Sequence, residues 1–140
     1  MEISALFAYG SLMSGFWNHD RFCGAALTIE SAVTTGQLYH LPYGFPAMFD
    51  VSDGQVFGEV MTFPDIGKTL ERLDRLEGYL PGDCRSHYIR VQKSVTILKS
   101  GRKIHAWTYV YPKVRLQPDY VPVLSGRWRE FIFSHRMPAG

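Results

Sequence analysis

The run Leu73-Asp74-Arg75-Leu76-Glu77-Gly78-Tyr79 puts a carboxylate where an amphipathic helix should bury a hydrophobe. Apolar spacing predicts a helix from Ile66 to Glu77. At about 100° per residue, Leu70, Leu73 and Glu77 share one face, and Glu71, Arg72 and Arg75 point the other way. Gly78 suits the C′ position that ends such a helix. Glu77 is then aimed at the protein from the last turn, where the helix's partial negative charge disfavours a carboxylate. Burial and that dipole both raise its pKa, as a proton shuttle working near neutrality requires. Taken by itself, the helix favours a plainer reading, in which Glu77 is a boundary residue paired with a nearby arginine.

A second signal lies at Tyr9-Gly10-Ser11-Leu12. A buried strand that breaks at glycine leaves backbone N–H groups pointing outward, and such a nest binds carboxylates or oxyanions. Glycine lets a ligand approach the backbone closely. Alone, Tyr9-Gly10-Ser11 after a strand is more often a turn than a site.

Other patterns fail on their spacing. Gly67-Lys68-Thr69 invites a phosphate-loop reading, but Thr62 stands where that loop needs its first glycine. His19, His40, His87, His105 and His135 show no metal-ligand spacing, so no metal is expected. Cys84 and His87 could pair as nucleophile and base, yet only Asp83 is near to orient them, which favours a structural role.

The elements that must hold these residues can be read coarsely. Leu6 to Tyr9 is a short buried strand, and Ser11 or Ser14 could cap a short helix through Phe22. Val33 to Leu41 reads as a strand with Gly36 as a bulge or close-approach point, and Val56 to Phe63 as another. Tyr88 to Gln92 and Val95 to Leu98 alternate like a half-buried strand, which the turn Lys99-Ser100-Gly101-Arg102 joins to Ile104–Tyr111 in an antiparallel hairpin. Asp119 to His135 suggests a C-terminal helix, interrupted in principle by Pro122 and Gly126. Five or six short strands with few helices imply an α+β fold with a small barrel.

Composition bounds the rest. The length of 140 residues suits one domain spanning 1–140, with 46% hydrophobic and 20% charged residues. The formal charge of +2 comes from scattered side chains, with no basic run suited to nucleic acid or a membrane surface. No apolar stretch reaches the roughly 18 residues of a membrane span. Met1-Glu2-Ile3-Ser4 lacks the basic start of a signal peptide, and Cys23 and Cys84 form no CxxC pair. A cytoplasmic protein with reduced thiols is expected.

In combination the motifs say more. Tyr9-Gly10-Ser11-Leu12, Leu73-Asp74-x-Leu76-Glu77-Gly78-Tyr79 and Tyr88-x-Arg90-Val91 resemble the gamma-glutamylcyclotransferase-like superfamily, in its small bacterial and AIG2-like branch. Asn18, Gly36-x-Leu38-Tyr39, Pro46-Ala47, Gly58-Glu59-Val60 and Gly126-x-Trp128 match in family order across most of the chain. The resemblance implies a small mixed β-barrel flanked by helices. It implies that Tyr9, Gly10, Ser11 and Leu12, with Tyr88, hold a small gamma-glutamyl substrate, and that Glu77 is the acid–base residue. The branch acting on gamma-glutamyl dipeptides often carries asparagine where Leu12 stands, so the leaving group is open.

The implied chemistry suits these residues. A gamma-glutamyl amide contains its own nucleophile, the α-amine, so closure to 5-oxoproline needs a folded-back substrate, a base and an acid, and no cofactor. The alternatives are a binding module that keeps fold and pocket without catalysis, and a hydrolase using Cys84 or Ser11.

Overall fold

The computed structural model describes residues 3–79 and 88–134. Its centre is a closed barrel with strand order β1-β5-β2-β6-β7. Strand β1 (Ala5–Ala8) is buried on both faces, which explains its unbroken apolar run. It pairs antiparallel with β5 (Gln55–Thr62) and closes the barrel through a parallel contact with β7 (Lys103–Val110), Leu6 opposite Trp107. Strand β2 (Thr28–Thr35) lies between β5 and β6 (Ile89–Ile97), and β6 forms the expected antiparallel hairpin with β7. This is the mixed α+β barrel that the sequence implies.

A smaller three-stranded sheet, β4-β3-β8, packs beside it. The expected strand from Val33 to Leu41 is divided: β2 starts earlier, and β3 (Gln37–His40) leaves for the second sheet beyond Gly36. A Cβ on Gly36 would lie 3.0 Å from the Met48 sulfur, so the corner is a close approach between sheets. Strand β4 (Pro46–Phe49), wholly buried, was not expected from the sequence. The two segments read around Lys93 are one strand. Lys93 is buried on its inward face, and its charge is met by Asp50 at 2.5 Å.

The helices differ more from expectation. Neither Ser11 nor Ser14 caps a helix: α1 covers only His19–Cys23, because the Ser14 N–H and hydroxyl are both bonded to Glu59. Helix α2 (Ile66–Leu76) is where the periodicity puts it, and the Asp65 side chain caps it by accepting from the Lys68 N–H. The long C-terminal helix is not formed. A 3₁₀ turn (Lys113–Arg115) and strand β8 (Val121–Pro122) precede a short α3 (Trp128–Ser134). Pro122 sits opposite Tyr39 at the end of a sheet, where a missing N–H is tolerated. Cys84, His87 and His135 lie outside the described residues. Among the described residues, no helix is long and apolar enough to cross a membrane.

Candidate active site

Strand β1 runs straight into a tight turn. The Met13 N–H donates to Gly10 O at 3.0 Å, and the N–H groups of Ser11 and Leu12 have no acceptor among the described residues. The turn is held from behind. Glu59, buried on β5, accepts from the Ser14 N–H and from the Ser14 hydroxyl, each at 2.6 Å. Arg129 on α3 lies 3.8 Å from Glu59 and also donates to Ser14 O. Asn18 Nδ2 donates to Ser11 Oγ at 2.9 Å, and the buried His19 bonds Leu12 O through Nδ1 at 2.8 Å. A turn so heavily tied from one side keeps its other side open for a ligand.

The opposite wall begins at the end of α2. Leu70 and Leu73 are buried in the core and fix the rotation of the helix. The Tyr79 N–H donates to Asp74 O at 2.9 Å and the Gly78 N–H to Arg75 O at 3.3 Å, with Gly78 at φ +65°. This is a Schellman ending, which needs a residue at ease in the left-handed region. It leaves Glu77 as the C-cap residue just beyond the helix, half-buried. The Tyr88 N–H donates to Glu77 O at 3.3 Å and joins the helix end to β6.

The two carboxylates at the C-terminal end of α2, Asp74 and Glu77, are sharply divided. Asp74 takes a two-pronged contact from Arg90, at 2.9 and 3.2 Å, and a hydrogen bond from the Tyr109 hydroxyl at 2.6 Å. Arg90 in turn lies over the Trp107 ring, 4.6 Å from its centre. Asp74 is thereby committed to the frame. The Glu77 carboxylate has no hydrogen-bond or ion-pair partner among the described residues. Burial pushes its pKa up to about 7. The arginine pairing of the plainer reading belongs to Asp74.

Glu77 and the turn meet in one cavity of about 510 Å³. Tyr9, Gly10, Ser11, Leu12, Glu77 and Tyr88 all contribute to its wall. The two tyrosines do so with their hydroxyls already engaged. Tyr9 donates to Tyr109 O at 2.6 Å and accepts from the Met48 N–H, and Tyr88 donates to Pro46 O at 2.7 Å. Burial raises both phenols far above their ordinary pKa, so neither is poised to exchange a proton near neutrality. Glu77 is the group in the wall that is.

Gly10 has a steric reason to be glycine, since a Cβ there would lie 2.8 Å from Pro46 Cγ. Gly10→Val is expected to displace the turn or Pro46, and Ser11→Ala only to free Asn18. Valine should raise KM for substrate at least tenfold more than alanine does, by steady-state kinetics on both variants. Equal tolerance would make the turn a mere connection.

Sequence reasoning did not assign Trp17, Tyr43, Phe45, Arg75 or Tyr109 to this wall. Trp17, Tyr43 and Phe45 sit in connections with no periodic signal, and β4, which places Phe45, was missed with them. Tyr109 was visible only as one aromatic in an alternating strand. Cys23 is buried outside this wall, and burial, with the Glu59 charge, pushes its thiol up to about 12, so it is no ready nucleophile. No group of three His, Cys, Asp or Glu side chains converges among the described residues.

A family model described as gamma-glutamyl cyclotransferase, AIG2-like, matches residues 6–130. A Methanocaldococcus jannaschii protein provisionally named a gamma-glutamylcyclotransferase is 35% identical over 114 residues, 77% of this chain and 84% of the relative. YkqA of Bacillus subtilis superposes with a TM-score of 0.69 at 24% identity, over 97% of this chain. This chain spans 44% of YkqA's length. An AIG2-like protein of Mus musculus superposes with a TM-score of 0.64 at 22% identity, over 85% of this chain and 82% of that one. At these identities the structural likeness speaks for the fold.

Proposed function

Since this chain belongs to the gamma-glutamyl cyclotransferase, AIG2-like, family, we propose that it cyclises a gamma-glutamyl amide to 5-oxoproline and releases the free amine. The observation that carries this reading is the placement of Glu77. Its carboxylate, pushed up to about 7 by burial and without an ionic partner among the described residues, shares a cavity with the Tyr9–Leu12 turn.

In the reaction, the substrate's α-nitrogen attacks its own γ-carbonyl carbon. That nitrogen enters as the neutral amine, and Glu77 takes one of its two protons as the ring C–N bond forms. It returns that proton to the departing nitrogen as the original amide C–N bond breaks. No water is consumed and no cofactor takes part. Holding both reacting ends in one folded-back molecule can supply roughly 7 kcal/mol or more of the barrier reduction in ideal cases. The acid–base help adds about 10²–10⁴-fold. The Ser11 and Leu12 N–H groups suit the substrate carboxylate or the developing oxyanion. Tyr9, Gly10 and Tyr88 shape the wall, and Asn18 steadies Ser11.

The test is a panel of gamma-glutamyl amides, peptides and amines incubated with the purified protein. The expected result is 5-oxoproline and free amine in equal amounts. Release of glutamate would mean hydrolysis, and no product from any substrate would overturn the reading.

A further inference from the structure

Two large aromatic side chains stand at the mouth of the cavity, and the cyclisation leaves them unexplained. Trp17 is 64% exposed and Tyr43 67% exposed, yet both contribute to the cavity wall. Single exposed hydrophobics are ordinary on a protein surface, but two aromatics at one opening are a local concentration. Each is held from behind. Trp17 contacts Phe16 edge-on at 5.7 Å and Trp128 at 6.2 Å. Tyr43 stacks on Phe45 at 5.7 Å, and Phe45 lies 6.3 Å from Tyr88. Rings braced in this way lose little freedom when a ligand covers them.

The space points the same way. A glutamyl group is small beside 510 Å³, a volume within the roughly 300–1,000 Å³ of sites that hold drug-sized ligands. Glu77 and the Ser11–Leu12 N–H groups account for the polar end. Among the described residues, what remains between them and solvent is the aromatic mouth, flanked by Leu76 and by Arg75. Arg75 is exposed and has no partner among the described residues, so the mouth opposes a second positive charge on the ligand.

We infer that the leaving amine carries a flat apolar group, aromatic in the favoured case and not cationic, which packs against Trp17 and Tyr43 as the glutamyl end reaches Glu77. This rests on the cyclisation reading for the identity of the other half of the substrate. It adds the class of amine released.

The test compares gamma-glutamyl benzylamide, methylamide and 4-aminobutylamide on the wild-type protein and on Trp17→Ala and Tyr43→Ala. Covering a phenyl ring at such a site corresponds to about tenfold or more in affinity. Wild-type kcat/KM should favour benzylamide over methylamide by at least that factor, and each variant should lower the benzylamide-to-methylamide ratio by about tenfold. Equal use of the two amides by the wild type, or preference for the cationic aminobutylamide, overturns the inference. The wild-type comparison decides the matter even if a variant does not fold. Should no amide be cyclised, the proposed reaction falls and binding becomes the readout, through quenching of Trp17, the most exposed of the three tryptophans. Tighter binding of benzylamide than methylamide would then uphold the aromatic mouth, and equal binding would overturn it.

Discussion

Glu77→Gln is expected to lower kcat by 10²-fold or more while leaving KM for a gamma-glutamyl amide nearly unchanged. Glutamine keeps the size of the side chain but cannot carry a proton at neutral pH. A loss confined to kcat marks an interaction made in the transition state. In the wild type, kcat/KM should rise with pH through about 7, because the free enzyme must hold Glu77 ionised to take a proton from the attacking amine. The residual rate of the variant should lack that rise. Stability gives an independent sign. The folded protein holds the Glu77 proton to about 7, against 4.5 for the ordinary carboxyl. Below about pH 4.5 the group is neutral in both states and costs nothing. As pH rises toward 7 the unfolded chain ionises first, so the wild type loses stability over this window. The gain of Glu77→Gln over wild type in thermal melts should therefore grow from about pH 4.5 to 7 and then level off. A variant with near wild-type turnover would move the proton transfers elsewhere, and one that does not fold would make Glu77 structural.

Gly58→Ala is expected to destabilise the barrel severely, by adding a single methyl group between β5 and β1. A Cβ on Gly58 would lie 2.1 Å from Ala8 O and 3.1 Å from Phe7 Cζ. The nearer atom is backbone, in the last residue of β1, so no rotamer change relieves the clash. Overpacking of this kind typically costs about 1–3 kcal/mol, and the upper end applies here. For a chain of this size that is a fall in Tm of roughly 10 °C. Strand β1 leads directly into the Tyr9–Leu12 turn, so surviving folded protein should also lose activity. Misplacing reacting groups by about 1 Å can cost around 10²-fold. Calorimetry and 5-oxoproline release measure the two effects separately. The contrast is Gly67→Ala in the first turn of α2, where the added Cβ meets only the Asp65 side chain, at 3.5 Å. That change should be neutral or slightly stabilising. Wild-type melting of Gly58→Ala would show that β1 and β5 can separate freely.

The parts of this structure legible in the sequence are those set by local periodicity. Helix α2 announced itself through Leu70, Leu73 and Gly78, and the hairpin of β6 and β7 through alternation on either side of Gly101. The barrel was implied by the count of short strands and by family motifs. What was not legible depends on partners distant in sequence. Ser14 looks like a helix cap until Glu59, on another strand, claims both of its donors. Nothing near Lys93 in the sequence announces that it is buried, because its counter-charge is Asp50, 43 positions away. Val121 and Pro122 join a helix-like pattern, but the edge of β3 holds them extended. In the cavity wall, Glu77 and the Tyr9–Leu12 turn were found because their own neighbours are unusual. The aromatics of the mouth were not, because nothing local distinguishes them from surface residues.

The closure of the barrel has a consequence for how the protein comes into being. The bond from Thr108 Oγ1 to Phe7 O spans 101 positions of sequence, and β1 meets β7 only through such distant contacts. During synthesis, β1, β2 and β5 can associate and α2 can form well before β6 and β7 emerge from the ribosome. Until that hairpin arrives, the barrel lies open along one seam and Glu77 faces water as an ordinary carboxylate. Closing so long a loop is entropically slow, which places the seam late in folding. The unusual proton affinity of Glu77 should therefore appear last, on the same timescale as the burial of Trp107. A stopped-flow refolding experiment that follows proton uptake at pH 6 beside tryptophan emission would register the two together.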